Sequence, residues 1–442
     1  MRFEIERKRL FAIKKKIFAA LPEKFVQGLS WNMASLVVLA LSGLLINSVI
    51  LYFRPEEALG VFNQVFAIYI VLAQLSVCGF HLSTLKHSAQ NQEEKSECGA
   101  ILFTALLLTM LVSSIFACCL YILSSWIGGL LDSPDVAMGL KLVAPGLVFF
   151  CLNKVLLMSL NGQQKMRSFA LFQSLRFILI LIGICLIIYM NVAHGYLALA
   201  LAGAEIILFL VLLIFSSPVL SSCMNSSTPF TAWIKRHIAF GSRGLLGGIL
   251  MEINTRVDVL MLGVFLSDAH VGIYSFAAIF AEGFAQLSTV VRQNFDPIAG
   301  KHITEQKISD LKQLIQTIRK RFWIAMLALG ITSVFVFPFI YAAINDGALI
   351  SNASFVYLIL TTGYVIASRQ TPFIGILLHK NRPTLFSQVH GGTVLFNIIL
   401  NASLIPIVGI VGGAIATGLA TVLQAIIIRS LILKLLSAEA QH

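Results

Sequence analysis

Charge is the scarcest commodity in this chain. Asp, Glu, Lys and Arg make up 12% of its 442 residues, where a soluble domain carries about 25%. So little charge cannot cover a water-facing surface of this size, which excludes a soluble enzyme and a disordered chain. Cysteine is sparse and unpatterned, with seven residues and no CxxC. That excludes a disulfide-stapled secreted scaffold and a thiolate zinc site. No Gly-rich nucleotide loop or Ser/His/Asp array is present, and histidines such as His81, His87 and His270 are scattered. Neither a metal nor a cofactor is expected. Carboxylates are outnumbered, 20 against 32 basic residues, for a net charge of +12. In a soluble protein that excess would point to nucleic acid.

What the sequence has is apolar length. Hydrophobic residues reach 58% and mean hydropathy is +0.89. Twelve stretches approach the roughly 20 apolar residues that a membrane-crossing helix requires: 30–53, 59–80, 99–123, 138–160, 168–190, 195–216, 240–265, 271–291, 322–344, 354–378, 385–407 and 410–433. The fold class expected is an all-α polytopic membrane protein. Basic residues set its orientation, because cytoplasmic loops carry the Lys/Arg excess. With the N-terminus inside, 25 of the 32 lie in cytoplasmic segments, counting Arg429 at the end of the last span. One, Arg54, lies outside and six lie within spans. The alternation predicts both termini cytoplasmic, and most of the +12 becomes a topology signal, so no nucleic-acid partner is expected. Trp31, Trp126, Trp233 and Trp323 fall at span ends, as an interfacial aromatic belt would.

The first 20 residues lack the unbroken apolar core of a signal peptide. Leu10, Ile13, Ile17 and Leu21 form a stripe among lysines, which describes an amphipathic helix on the inner membrane face. A second such stripe (Ile308, Leu311, Ile315, Ile318, Phe322) falls in 293–321. A shift of 212 residues lays Glu56 on Asp268, Gly60 on Gly272, and Ala73-Gln74-Leu75-Ser76 on Ala285-Gln286-Leu287-Ser288. This divides the chain into a cytoplasmic amphipathic segment 1–29, an N-lobe 30–216, a cytoplasmic linker 217–239, and a C-lobe 240–442 containing the amphipathic loop 293–321. Six spans per lobe make the repeat parallel, with a central cleft between the lobes.

Ten charges fall inside the spans. A charge at mid-bilayer costs about 2.5–3.5 kcal/mol on insertion scales, so each must face protein or water. The basic ones are Lys141, Lys154, Arg176, Arg243, Arg256 and Arg369; the acidic ones are Glu205, Glu252, Asp258 and Glu282. Lys141 and Arg243 lie near span ends and can snorkel. In span 7, Glu252 and Arg256 share one helical face and can pair, with Asn254 and Asp258 on the other. Surplus deep cations suit an anionic ligand, since the planar guanidinium binds phosphate oxygens two at a time. The carboxylates are candidates for ion or proton coupling, or for bridges that merely hold the lobes. Gly247-Gly248, Pro145 and Pro372 mark places where helices can bend.

The run Arg256-Val257-Asp258-Val259-Leu260-Met261-Leu262-Gly263, followed by Val271-Gly272-Ile273-Tyr274-Ser275-Phe276-Ala277-Ala278, resembles the start of the second half in the multidrug/oligosaccharidyl-lipid/polysaccharide (MOP) superfamily. The similarity is greatest to the Wzx-type polysaccharide and O-antigen flippases. Leu59-Gly60-Val61-Phe62 echoes it in the first half. The resemblance implies an inner-membrane carrier, not an enzyme, that moves undecaprenyl-diphosphate-linked sugar units for O-antigen or lipopolysaccharide assembly across the bilayer. A polysaccharide polymerase and a chain-length regulator are implied partners, beside membrane lipids. It further implies that Lys154, Arg176, Arg243, Arg256 and Arg369 line a cationic substrate cavity, with Glu205, Glu252, Asp258 and Glu282 as coupling or pairing groups. Two other readings stay open: a multidrug or organic-ion antiporter on the same scaffold, and a membrane glycosyltransferase or polymerase. The longest outer loop, 124–137, carries only Asp132 and Asp135, which gives an enzyme little to work with.

Overall fold

The computed structural model describes residues 38–39, 41–345 and 351–438, with backbone alone at 242–248, 251 and 437–438. The expected amphipathic segment 1–29, Trp31, most of the first half of span 1 and the Arg243 side chain lie outside the described residues. Every regular element among them is helical. In chain order these are α1 (Leu41–Phe53), α2 (Glu56–Ser76), α3 (Phe80–Gln90), α4 (Lys95–Leu130), α5 (Pro134–Gly162), α6 (Met166–Tyr189), α7 (Ala198–Leu220), α8 (Phe230–Phe265), α9 (Asp268–Thr304), α10 (Ile308–Asn345), α11 (Asn352–Ala367), α12 (Pro383–Val408) and α13 (Ile410–Ala438). Nine elements among the described residues are long and apolar enough to cross a membrane; α1 and α11 are shorter apolar helices.

Local chemistry sets the boundaries. Ser133 accepts a hydrogen bond from the Val136 amide at 3.2 Å, and Pro134 occupies the first helical position, so α5 starts there. Gly79 and Gly409 take positive φ of 72° and 61° at the start of α3 and the end of α12, a conformation glycine adopts without strain. Helices then sort by burial. In α5, 67% of the most apolar window is buried, against 11% in α6 and 17% in α10, so α5 is central and the other two turn apolar faces outward. That outward apolar surface, for example Met110, Ile115 and Ile122 on α4, suits lipid.

Within the earlier elements, α5 packs against α2, α3, α4 and α7; within the later ones, α13 packs against α11 and α12. The principal junction between them runs from α2 to α9 and α8. The starts of α2 and α9, Glu56 and Asp268, stand 212 residues apart, the same offset that the sequence repeat carries.

Three expectations need correction. Residues 293–321 form no surface helix of their own: α9 continues to Thr304, and α10 begins at Ile308. The Leu311 and Ile315 stripe is buried against Phe295, Phe373, Val389 and Ile432, so protein rather than lipid covers it. Span 10 stops at Ala367, before Pro372, and the chain continues through a 3-10 turn at Thr371–Phe373. Proline's missing N–H explains the break. Trp233 is not a belt residue; it is 2% exposed and donates its indole N–H to Glu97 Oε2 at 3.0 Å.

Glu97 holds the start of α8 to α4. Its Oε1 accepts from Ser226 and Ser227 hydroxyls at 2.8 Å and from the Thr228 amide at 3.0 Å. Nearby, His237 Nε2 lies 3.1 Å from the Ile101 carbonyl, so that nitrogen donates and Nδ1 accepts from Ser83 Oγ at 2.8 Å. Burial holds this imidazole down at about 4, and it is neutral.

Leu311→Ala should destabilise the detergent-solubilised protein by about 2–5 kcal/mol, as for other core truncations. Lys312→Ala, one residue along, should leave thermal unfolding unchanged.

Candidate functional site

Low dielectric makes a lone intramembrane charge expensive, so the partners of each deep charge show what it does. Arg176 on α6 is paired. Its Nε lies 2.7 Å from Glu205 Oε1 on α7, and the two side chains are 12% and 2% exposed. Asn153 on α5 donates to Glu205 twice, at Oε2 (2.8 Å) and at the backbone carbonyl (2.9 Å). Glu205 is thus not the isolated carboxylate that its Gly/Ala-rich surroundings suggest.

Phe150 connects this pair to a second cation. The Arg176 guanidinium sits 4.7 Å from the ring centroid, and the Lys154 ammonium 5.9 Å from it. Lys154 lies one helical turn along α5 from Phe150, and its ammonium hydrogen-bonds Gln74 Oε1 on α2. Glu252 on α8, among the later elements, lies within electrostatic range of it, with no salt bridge between them among the described residues.

Arg256, also on α8, does not pair with Glu252 as the helical spacing predicts; no ion pair joins them among the described residues. The guanidinium instead lies 5.1 Å from the Phe66 ring centroid on α2, with Glu282 of α9 as the neighbouring acidic group. Its Nε is buried without a hydrogen-bond partner. Arg256 and its neighbour Glu282 therefore line a seam where α2 meets α8 and α9; Lys154, held to α2 by Gln74, and Glu252, one turn from Arg256 on α8, flank it.

Asp258 occupies a different setting. Oδ1 accepts from Asn397 at 3.0 Å and Asn401 at 2.8 Å; Oδ2 accepts from Tyr274 at 3.0 Å and from Thr417 Oγ1. Four neutral donors from α9, α12 and α13 surround it, and among the described residues no basic group is bonded to it. Arg369 and Lys141 join neither group. Arg369 is exposed and stacks 5.4 Å from Trp323. Lys141 is exposed beside Asp132 and Ser133 at the α4–α5 turn.

Sequence reading missed the neutral partners. Asn397 and Asn401, four apart in an apolar helix, carried a usable signal. Gln74, Asn153 and Thr417 carried none, because their role depends on helices far away in the chain.

Removing one member of a buried pair leaves the other uncompensated, which costs about 3–5 kcal/mol. Glu205→Ala and Arg176→Ala should each lower thermal stability by an amount of that order. The double variant should fall well short of their sum.

Comparison with known proteins agrees with this architecture. The sequence model of the family described as "Polysaccharide biosynthesis protein" matches residues 25–282, more than half of the chain. The probable low-salt glycan biosynthesis flippase Agl15 of Haloferax volcanii is 28% identical over 166 residues. That stretch is 37% of this chain and 34% of the relative, so the match spans about a third of the relative's length. The fold is similar to the lipid II flippase MurJ in an inward closed conformation, with TM-score 0.71 and 17% identity over 91% of this chain and 87% of that one. It is also similar to the inward-facing conformation of a multidrug resistance MATE family transporter of the MOP superfamily, with TM-score 0.69 and 14% identity over 92% and 96%. These relatives are flippases and transporters, not enzymes. The chain is a multi-pass membrane protein, and it belongs to the polysaccharide biosynthesis protein family.

Proposed function

We propose that this protein flips a glycan, linked to undecaprenyl diphosphate or a similar polyprenyl diphosphate, from the cytoplasmic to the outer leaflet by alternating access. The observation that carries the reading is the seam itself. Arg256 of the later half lies against Phe66 of the earlier half and keeps a buried N–H free of any hydrogen bond, while Lys154 is held to the same helix, α2, through Gln74. A diphosphate supplies the missing acceptors, and the guanidinium fork matches its oxygens. Family membership and the flippase relatives support the same substrate class. The proposal includes twelve spans as two six-helix lobes, 30–216 and 240–442, joined by the linker 217–239, with both termini cytoplasmic in a bacterial inner membrane. A polysaccharide polymerase and a chain-length regulator are the partners that would take up the product.

Residue roles follow from the surroundings. Arg256 and Lys154 contact the diphosphate or acidic sugars. Arg176, held by Glu205, sustains the positive face behind Phe150, while Arg369 and Arg243 act nearer the cytoplasmic rim. Asp258, amid oxygen-bearing neutral side chains, is the group best placed to take up a proton or a small hard cation, and Glu252 and Glu282 balance the seam cations. Both solved relatives named above are in inward conformations, which supports an outer-closed assignment for this structure. The MATE likeness keeps a drug exporter as the second reading. The buried Arg256 N–H without an acceptor favours an anionic ligand over a cationic drug.

Arg256→Ala should abolish surface glycan in cells while the protein still inserts, with Arg256→Lys restoring part of it. Wild-type glycan levels in Arg256→Ala would remove Arg256 from the substrate path. Coupling is read separately in proteoliposomes. If Asp258 couples transport, an imposed pH or sodium gradient accelerates flipping by wild type and not by Asp258→Asn. Insensitivity of the wild type to both gradients would refute coupling.

A further inference from the structure

The junction between α2 and α9 carries a feature that the transport reading leaves unused. Two carboxylates, each the first residue of its helix, reach into the opposite half. Glu56 on α2 accepts from Tyr341 Oη at 2.6 Å and from Asn345 Nδ2 at 2.7 Å, both on α10. Asp268 on α9 accepts from Gln64 Nε2 on α2 and from Ser133 Oγ before α5, both at 2.6 Å. The 212-residue offset relates Glu56 to Asp268, and it also relates Ser133 to Asn345. One bond is therefore the repeat image of the other: first-half carboxylate to second-half amide, second-half carboxylate to first-half hydroxyl.

Between the two bonds the backbones touch. A Cβ on Gly60 would run into the Asp268 carbonyl, and a Cβ on Gly272 would run into the Glu56 carbonyl. Gly60 and Gly272 are again 212 apart. The four donors and the two glycines lie at one end of the molecule, that of the helix N-termini. The halves can separate there only if both carboxylates surrender their donors together. Once apart, the carboxylates meet water, which replaces those donors at little cost. An interaction that is firm when closed and easily solvated when open suits a reversible closure.

We propose that the Glu56–Asn345/Tyr341 and Asp268–Ser133/Gln64 bonds, with the Gly60–Gly272 crossing between them, are the outer gate of the transporter, formed here in its closed state. This rests on the orientation and alternating access proposed above. The gate is a matched pair because the repeat duplicated it, so each half contributes one carboxylate and one set of donors. Losing either carboxylate shifts the population toward the open state, and losing both shifts it further. An alanine at Gly60 or Gly272 acts by a different route, wedging the helices apart while leaving every hydrogen-bonding group in place.

A reporter cysteine tests this directly. Ser275 is 5% exposed on α9, two turns past Asp268. Ser275→Cys is introduced, and intact cells are treated with a membrane-impermeant maleimide, with the same chain lacking Ser275→Cys as background. Labelling should be low in the parent. It should rise roughly ten-fold with Glu56→Ala or Asp268→Ala, as expected for loss of hydrogen bonds to a charged group, and further in the double variant. Tyr341→Phe, the mildest change, should give a smaller rise, and Gly272→Ala should give a rise with both carboxylates intact. Glu97→Ala, which breaks a comparable carboxylate cluster elsewhere, should give none. Equal labelling in parent and gate variants overturns the proposal, as does an equal rise in Glu97→Ala. Gated labelling in a protein that moves no lipid-linked glycan would leave the gate standing and sink the flippase reading. Glycan transport with labelling indifferent to Glu56 and Asp268 would do the reverse.

Discussion

The cost of placing charge in a medium without water governs this molecule. It explains why so few charged residues occur at all, and why those within the helices have such definite surroundings. Glu205 and Arg176 neutralise each other and satisfy the remaining carboxylate oxygen with Asn153. Asp258 is stabilised by four neutral donors instead of a cation. Arg256 has no such ion pair among the described residues: an aromatic face and a carboxylate nearby, and a buried N–H with no acceptor, as one Nη of Arg176 also has. A transporter cavity has to leave some such group incompletely satisfied, because a fully compensated charge has nothing to offer a ligand.

The α2–α9 junction shows the same economy at a different place. Two half-buried carboxylates at helix starts are costly neither when bonded nor when hydrated, so they can change partners as the halves move. By contrast Glu97 sits 3% exposed with its acceptors fully used, and it fastens the start of α8 to α4 permanently. Carboxylates of one chemical type thus serve as fixed anchors or as exchangeable contacts according to burial.

Much of the architecture could be read from the sequence, because hydropathy and basic-residue placement are local properties. Most expected spans coincide with a helix in the described residues, nine of them long and apolar enough to cross a membrane, and the 212-residue offset recurs in the starts of α2 and α9. Failures came where a residue's fate depended on distant packing. The Leu311–Ile315 stripe has the pattern of a membrane-surface helix, yet Phe373 and Val389, far along the chain, cover it. Trp233 stands at a span end as an interfacial anchor would, but Glu97 claims its N–H. Helical spacing paired Arg256 with Glu252, whereas tertiary packing turned Arg256 toward Phe66. Periodicity places a side chain on a face; it does not tell which helix arrives to meet that face.

The central claim is movement of a lipid-linked glycan through the seam between the two halves. The most direct measurement is flipping by the purified protein in liposomes, with a fluorescent polyprenyl-diphosphate sugar in one arm and a cationic dye in the other. The account predicts protein-dependent, saturable translocation of the diphosphate lipid and none of the dye. Dye transport without glycan-lipid flipping would contradict it.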